Sequence, residues 1–189
     1  MAEFRLETDR LILRSWIEAD IDPFHAICSD PVVMATLGPP MSRDQVADTV
    51  ERMQRLQRED GHCFWAMERK EDRQLIGWCG IIRGVDGTPI AGNPEAGWRM
   101  TPSAWGKGYV TEAATASVQW VFDNRDDEAV WAITTTENRA SRAVMERLGM
   151  EYLPDLDFDH PKIPADSPLL SHVTYRIERD LWALNQSQK

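Results

Sequence analysis

Residues 95–124 read EAGWRM (95–100), TPSAWGKGYVTEA (101–113) and ATASVQWVFDN (114–124), and this stretch decides the fold. A short apolar run stops at Thr101-Pro102. A loop of small residues follows, in which Gly106 and Gly108 flank Lys107, and an unbroken helical pattern starts near Tyr109. Strand, glycine-bearing loop and helix in that order build an anion site. The first amides of a helix have no intrahelical partner, and the helix dipole adds partial positive charge there. Glycine lets the chain turn tightly and lets a phosphate approach the backbone. The stretch points to a phosphate-bearing cofactor.

Two familiar phosphate loops fail on spacing. GxxxxGK[ST] needs glycine at 101 and Ser or Thr at 108, where the chain has Thr101 and Gly108. GxGxxG needs a glycine-like residue at 111, where the chain has Thr111. A bare strand-to-helix turn with no ligand is the plain alternative, and a glycine pair alone favours it.

Residues 129–150 tip the balance. AVWAITTTEN is a β-rich run, and Asn138 is a good N-cap. Ala140, Val144, Met145 and Leu148 recur at helical spacing before Gly149, a natural helix stop. The order becomes strand, anion loop, helix, strand, short helix, glycine, strand.

In these residues the chain resembles the GCN5-related N-acetyltransferase (GNAT) family, in its RimJ/RimL-like branch of ribosomal-protein N-terminal acetyltransferases. The resemblance is carried by Glu7 to Arg14 (ETDRLILR), Trp105 to Ala113 (WGKGYVTEA), Asn138 to Ser141 (NRAS) and Glu146 to Met150 (ERLGM). It spans roughly residues 7–182 and implies one domain over residues 1–189. The implied α/β (α+β) fold is a mixed, mostly antiparallel sheet of six to seven strands. The sheet is splayed at the cofactor strand, with helices on both faces. The implied cofactor is acetyl-CoA, with CoA as product, and the implied acceptor is an amine, on a protein N-terminus or a small molecule.

Composition agrees. Hydrophobic residues make up 42% and charged residues 28% of 189 residues, ordinary values for one globular domain. No apolar run approaches the ~20 residues that span a bilayer, and MAEFRLETDR has no signal-peptide core, so no membrane role is expected. Three widely spaced cysteines, Cys28, Cys63 and Cys79, argue against a disulfide framework and for the cytoplasm. A net charge of −10 with no Lys/Arg stripe disfavours nucleic acid. The same charge repels an anionic cofactor, so the helix terminus, Lys107 and Arg142 are expected to hold its phosphates locally. A homodimer is compatible with the reading. No metal site is expected: His25 and Cys28 have no second ligand pair, and the Asp155-Asp157-Asp159 run has His160 where a calcium loop needs glycine. Those acids border the acceptor mouth or face solvent.

Helices are expected over Ala19–Ser29, from Ser42 with Gln45 closing a capping box, from Tyr109, and from Asn138. Strands are expected over 10–16, 62–68, 74–82, 95–101, 129–135, 151–153 and 172–177. Residues 84–94 and 154–168 are expected to be loops, and the charges Arg43, Glu51, Arg52, Arg55 and Arg58 a solvated helix face.

Acetyl transfer to an amine needs a base for the amine proton, donors toward the thioester carbonyl and an exit for the thiolate. By resemblance, Trp98 to Thr101 pair with the cofactor's arm and the N–H near Met100 polarises the carbonyl. Trp105, Gly106, Lys107, Gly108, Tyr109 and Val110 hold the phosphates. Glu95 is the candidate base, through water, if Glu95, Gly97 and Arg99 share one face; its plain alternative is an exposed glutamate paired with an arginine. Many relatives have a tyrosine acid where this chain has Met145, which has no proton to donate. Ser141 is the substitute candidate; its plain alternative is a helix serine bonded to its own backbone. Asn138 orders the cofactor or a water, caps its helix, or does both. Trp16, Trp65, Trp78 and Trp98 fall in strands and could line the cleft, although most are expected in the core. A non-catalytic acyl-CoA-binding module is the third alternative.

Overall fold

The computed structural model describes residues 4–187. Strands β1 (Arg5–Glu7), β2 (Leu11–Arg14), β3 (Phe64–Arg69), β4 (Leu75–Arg83) and β5 (Pro94–Met100) lie side by side, each antiparallel to its neighbour. Beyond β5 come β6 (Ala129–Thr135), β9 (Ser171–Glu178) and β7 (Glu151–Tyr152), with β8 (Phe158–Asp159) also paired to β9. β5 and β6 run parallel and share one register pair, Glu95 with Trp131. The sheet therefore closes at Glu95 and opens toward Met100.

Sequence patterning explains the layers. β4 (LIGWCGIIR) is buried along nearly its whole length, because helices cover both faces. α4 (Tyr109–Asn124) presents Tyr109, Ala113, Ala114, Ser117, Val118, Val121 and Phe122 as one apolar stripe. Its small residues let it sit close to the sheet, and Ser117 Oγ lies 3.9 Å from Cys79 Sγ. The adjacent Trp78 points the opposite way, its ring 5.0 Å from that of Phe24 in α1 (Ile21–Cys28). α3 (Arg43–Glu59) packs on that second face through Val46, Val50 and Met53, and Ser42 with Gln45 forms the expected capping box.

Seven expected strands are present, and two more, β1 and β8, raise the count to nine. At three and two residues they are too short to show an alternating pattern. Two helices were also missed. α2 (Pro31–Met34) has four residues, capped by Asp30 with Pro31 at its first position. α6 (Arg179–Ser187) follows β9 with no breaker between them. Arg179 reaches back and donates to the carbonyls of Phe122, Arg125 and Asp127, capping the C-terminal end of α4. α5 (Arg139–Arg147) begins at the expected Asn138 cap.

One charge cluster supports the rim of the second face. Arg14 grips Asp20 through both terminal nitrogens (2.7 and 2.8 Å) and Glu68 through Nε (2.7 Å), with Asp20 and Glu68 almost fully buried. Removing the cation leaves buried Asp20 uncompensated and Glu68 with Arg73 as its one remaining cation. Arg14→Met should therefore lower the unfolding free energy by about 3 kcal/mol. Urea denaturation checks this; a loss under about 1 kcal/mol would mean that the cluster is not supporting the fold.

Candidate active site

The loop before α4 is built to leave amides free. Gly106 and Gly108 have φ of +72° and +78°, a region that costs other residues strain. Gly108 is the N-cap and has no side chain to turn back on the helix. The N–H groups of residues 106–111 have no hydrogen-bond partner among the described residues; the first paired amide is Glu112, to Gly108 O. A Cβ on Gly106 would meet nothing within 4 Å, so the space above the loop is open. An anion fits here on the ground of these donors and this space.

The β1–β2 turn clamps this loop. Glu112, in the first turn of α4, accepts from Thr8 Oγ1 (2.5 Å), Arg10 N (2.8 Å) and Arg10 Nε (2.6 Å). Burial alone would raise the Glu112 carboxyl, but these donors outweigh it and hold it below its ordinary value. Arg10 also donates to Lys107 O and lies over the Tyr109 ring. The ETDR segment of the sequence is thus the brace that holds the anion loop against the sheet.

From the loop, a cleft of about 880 Å³ runs into the gap between β5 and β6. Thr101 N donates to Ile76 O, so in an antiparallel ladder the peptide groups of Trp98 and Met100 point away from β4, toward the gap. The Met100 carbonyl is taken by Trp105 Nε1 at 2.9 Å. The Met100 N–H stays on the open edge.

Glu95, Gly97 and Arg99 share the face turned to α1 and α3, as the alternation requires. Glu95 lines the cleft at the point where β5 and β6 part. Burial pushes its carboxyl up to about 7, with Arg52 on α3 pulling the other way. Arg52 is solvent-exposed, as expected of that helix face, yet its charge reaches Glu95. Gly97 is required for shape: a Cβ there would lie 2.6 Å from Phe64 Cζ.

The cleft also brings together Met100, Trp105, Gly106, Gly108, Tyr109, Val110, Asn138 and Ser141. Asn138 Oδ1 accepts from Ser141 N at 3.1 Å, so the helix-capping role is present. Met145 also lines the cleft and has no proton to donate. Lys107 contributes backbone to the loop and is exposed, while Thr101 pairs with β4 and lies outside the lining. Arg142 departs from expectation: it donates to Tyr175 Oη and Thr136 O and lies over Tyr152, away from the cleft. Arg139 and Arg147 of the same helix face the cleft instead. A rotation of about 100° per residue separates these positions, which spacing alone does not orient. Trp78 and Trp98 line the cleft, whereas Trp16 and Trp65 are core. Asp155, Asp157 and Asp159 are exposed and do not border it. Sequence reasoning missed Phe64 and the α2 residues Val32 and Val33, which wall part of the cleft together with Leu37 beyond the helix.

An open parallel junction thus lies beside an unpaired amide cluster in one cleft. The acetyltransferase (GNAT) domain model matches residues 10–151, and the chain belongs to that family. It is similar to the Bacillus subtilis protein YkkB, 30% identical over 153 residues, covering 80% of this chain and 87% of that one. The structure resembles an acetyltransferase from Agrobacterium tumefaciens at 25% identity and a TM-score of 0.75, covering 94% and 96% of the two chains. It also resembles RimL, the ribosomal L7/L12 α-N-protein acetyltransferase solved with coenzyme A, at 14% identity and a TM-score of 0.75, covering 94% and 99%.

Glu95 carries a stability signature. Its carboxyl sits at about 7 in the fold against an ordinary 4.5, so the native state holds the proton more tightly than the unfolded chain. Stability then falls as pH rises from about 4.5 to about 7 and stays lower above that. Glu95→Gln should be more stable than the parent at pH 8, by up to about 3 kcal/mol, and gain little at pH 4. Equal pH profiles for the two proteins in denaturant titrations would mean that Glu95 is not held in a desolvated site.

Proposed function

We propose that the protein transfers the acetyl group of acetyl-CoA to a primary amine by direct attack in a ternary complex. The observation that carries this reading is the open β5 edge, bounded by Glu95 at one end and the unpaired amides of residues 106–111 at the other. Bound there, acetyl-CoA supplies an activated thioester carbonyl. The loop amides, with Lys107 and Arg139 nearby, are suited to its phosphates. The peptide edges of Trp98 and Met100 are placed to pair with its pantetheine arm. The Met100 N–H on the open edge would supply a donor to the thioester carbonyl oxygen of the bound cofactor.

Glu95 takes the proton from the incoming ammonium, directly or through one water. A carboxyl poised at about 7 is half ionised at neutral pH and is a better base than an ordinary glutamate. Burial thus supplies the basicity, and Arg52 keeps it from rising further. Ser141 stands on the cofactor side of the cleft and is our candidate for protonating the departing thiolate, in place of Met145. One acceptor class for this reading is a protein N-terminal α-amine, the class named for RimL. A small-molecule amine is the second reading, since the acceptor wall of Phe64, Trp78, Val32 and Leu37 makes a compact pocket. No helix among the described residues is long and apolar enough to cross a membrane, which suits the cytoplasmic setting proposed.

Calorimetry should show both coenzyme forms binding. Glu95→Gln should cut kcat at least about 100-fold while leaving the CoA Kd within about twofold. Arg52→Met should move the acidic limb of kcat/KM to higher pH, because it removes the charge that lowers Glu95. Unchanged turnover in Glu95→Gln across pH 6–9 would remove Glu95 from the base role. Ser141→Ala losing CoA affinity alone would reassign Ser141 to cofactor binding.

A further inference from the structure

Two part-buried arginines among the described residues are fully matched by oxygen acceptors, and Arg99 is not. Arg14 has two carboxylates, and Arg179 has three carbonyls. Arg99 lies on the same face of β5 as Glu95 and lines the acceptor side of the cleft. No carboxylate among the described residues lies within 4 Å of it. Its Nη1 touches sulfur alone, Cys28 Sγ at 3.1 Å and Met41 Sδ at 3.4 Å, and its Nε is buried without a hydrogen-bond partner. Burial keeps Cys28 a neutral thiol by raising it, so the sulfur supplies no counter-charge. The guanidinium rests over the Trp78 ring at 5.0 Å, the residue opposite it in the β4 register. A second hollow of about 380 Å³, lined by Pro39, Pro40, Met41 and Asp48, opens on its other side.

A half-buried guanidinium with idle donors is costly, because desolvation is not offset by charge-assisted bonds. Trp78 fixes its plane, and a planar fork of donors matches an oxyanion. Glu95 and Arg99 are four residues apart on one strand face, about 13 Å between Cα atoms at the usual rise. Both side chains line one cleft, so a single acceptor can meet a carboxylate at its nitrogen and a guanidinium at an anionic group.

We propose that Arg99 is an acceptor-binding residue and that the amine substrate carries an anionic group, a carboxylate or a phosphate, which docks on its guanidinium. This rests on the acetyltransferase reading of the same cleft. Phe64, Trp78 and Leu37 then hold the apolar part between the two charges. The acceptor is an amino-acid-like or phosphorylated amine rather than a polycation.

The test uses the full chain, matched acceptors and matched products. Turnover is compared for phenylalanine against phenylalaninamide and 2-phenylethylamine, and for phosphoethanolamine against ethanolamine. Binding is compared on the CoA-saturated protein for N-acetylphenylalanine against N-acetyl-2-phenylethylamine, and for N-acetylphosphoethanolamine against N-acetylethanolamine. The anionic member of at least one pair should win by tenfold or more, and which pair wins separates carboxylate from phosphate. Arg99→Gln should erase that preference through KM with CoA affinity retained, while Arg99→Lys restores part of it. Equal use or binding of both members of every pair overturns the proposal. So does an Arg99→Gln variant that lowers all acceptors alike. Anion-selective binding of the acetylated products without any thiol release would support the site and sink the transferase reading, whereas release from neutral amines only would do the reverse.

Discussion

The parting of β5 from β6 is the constraint on which the site depends. A sheet that stayed paired past Glu95 and Trp131 would consume the Trp98 and Met100 peptide groups in its own ladder. Because it opens, the backbone edge faces a cleft, and the anion loop that follows β5 lies at its mouth. Continuity of one strand into one loop thus brings an extended edge and a cluster of amides onto a single path. The edge suits a linear chain and the amides suit charged oxygen.

Holding that opening is a matter of bracing from outside. The turn between β1 and β2 reaches across to Glu112, and the Arg10 guanidinium fastens the Lys107 carbonyl. Trp105 fills the other flank by taking the Met100 carbonyl. The contacts of the β1–β2 turn link segments about a hundred residues apart in sequence. They explain why a conspicuous N-terminal motif has no chemistry of its own: its work is to fix a distant helix start.

Much of this was legible in the sequence, for reasons that can be named. The anion loop and the start of α4 were set by Gly106, Gly108 and an uninterrupted helical period, and the α5 start by Asn138. These are local signals, and they landed on the residue. The face shared by Glu95, Gly97 and Arg99 followed from strand alternation. What was not legible depends on partners far away in the chain. Arg142 turned from the cleft because Tyr175 and Tyr152 of the C-terminal strands claim it. The sulfur and aromatic surroundings of Arg99 come from Cys28, Met41 and Trp78, which strand alternation does not place. The desolvation that lifts Glu95 is likewise a property of the assembled walls. The short β1, β8 and α2 carry too few residues for any periodicity.

Charge completes the picture. A net charge of −10 opposes an anionic cofactor at long range, so binding has to come from short-range donors that salt screens little. Backbone amides at a helix start meet that need without spending side chains. Amide hydrogen exchange tests the central claim most directly, because it reads the two parts of the cleft separately. Addition of CoA should slow exchange at residues 106–111 and at Trp98 and Met100, with little change in β1–β3. Slowing elsewhere with those amides unaltered would contradict the placement of the cofactor in the β5–β6 opening.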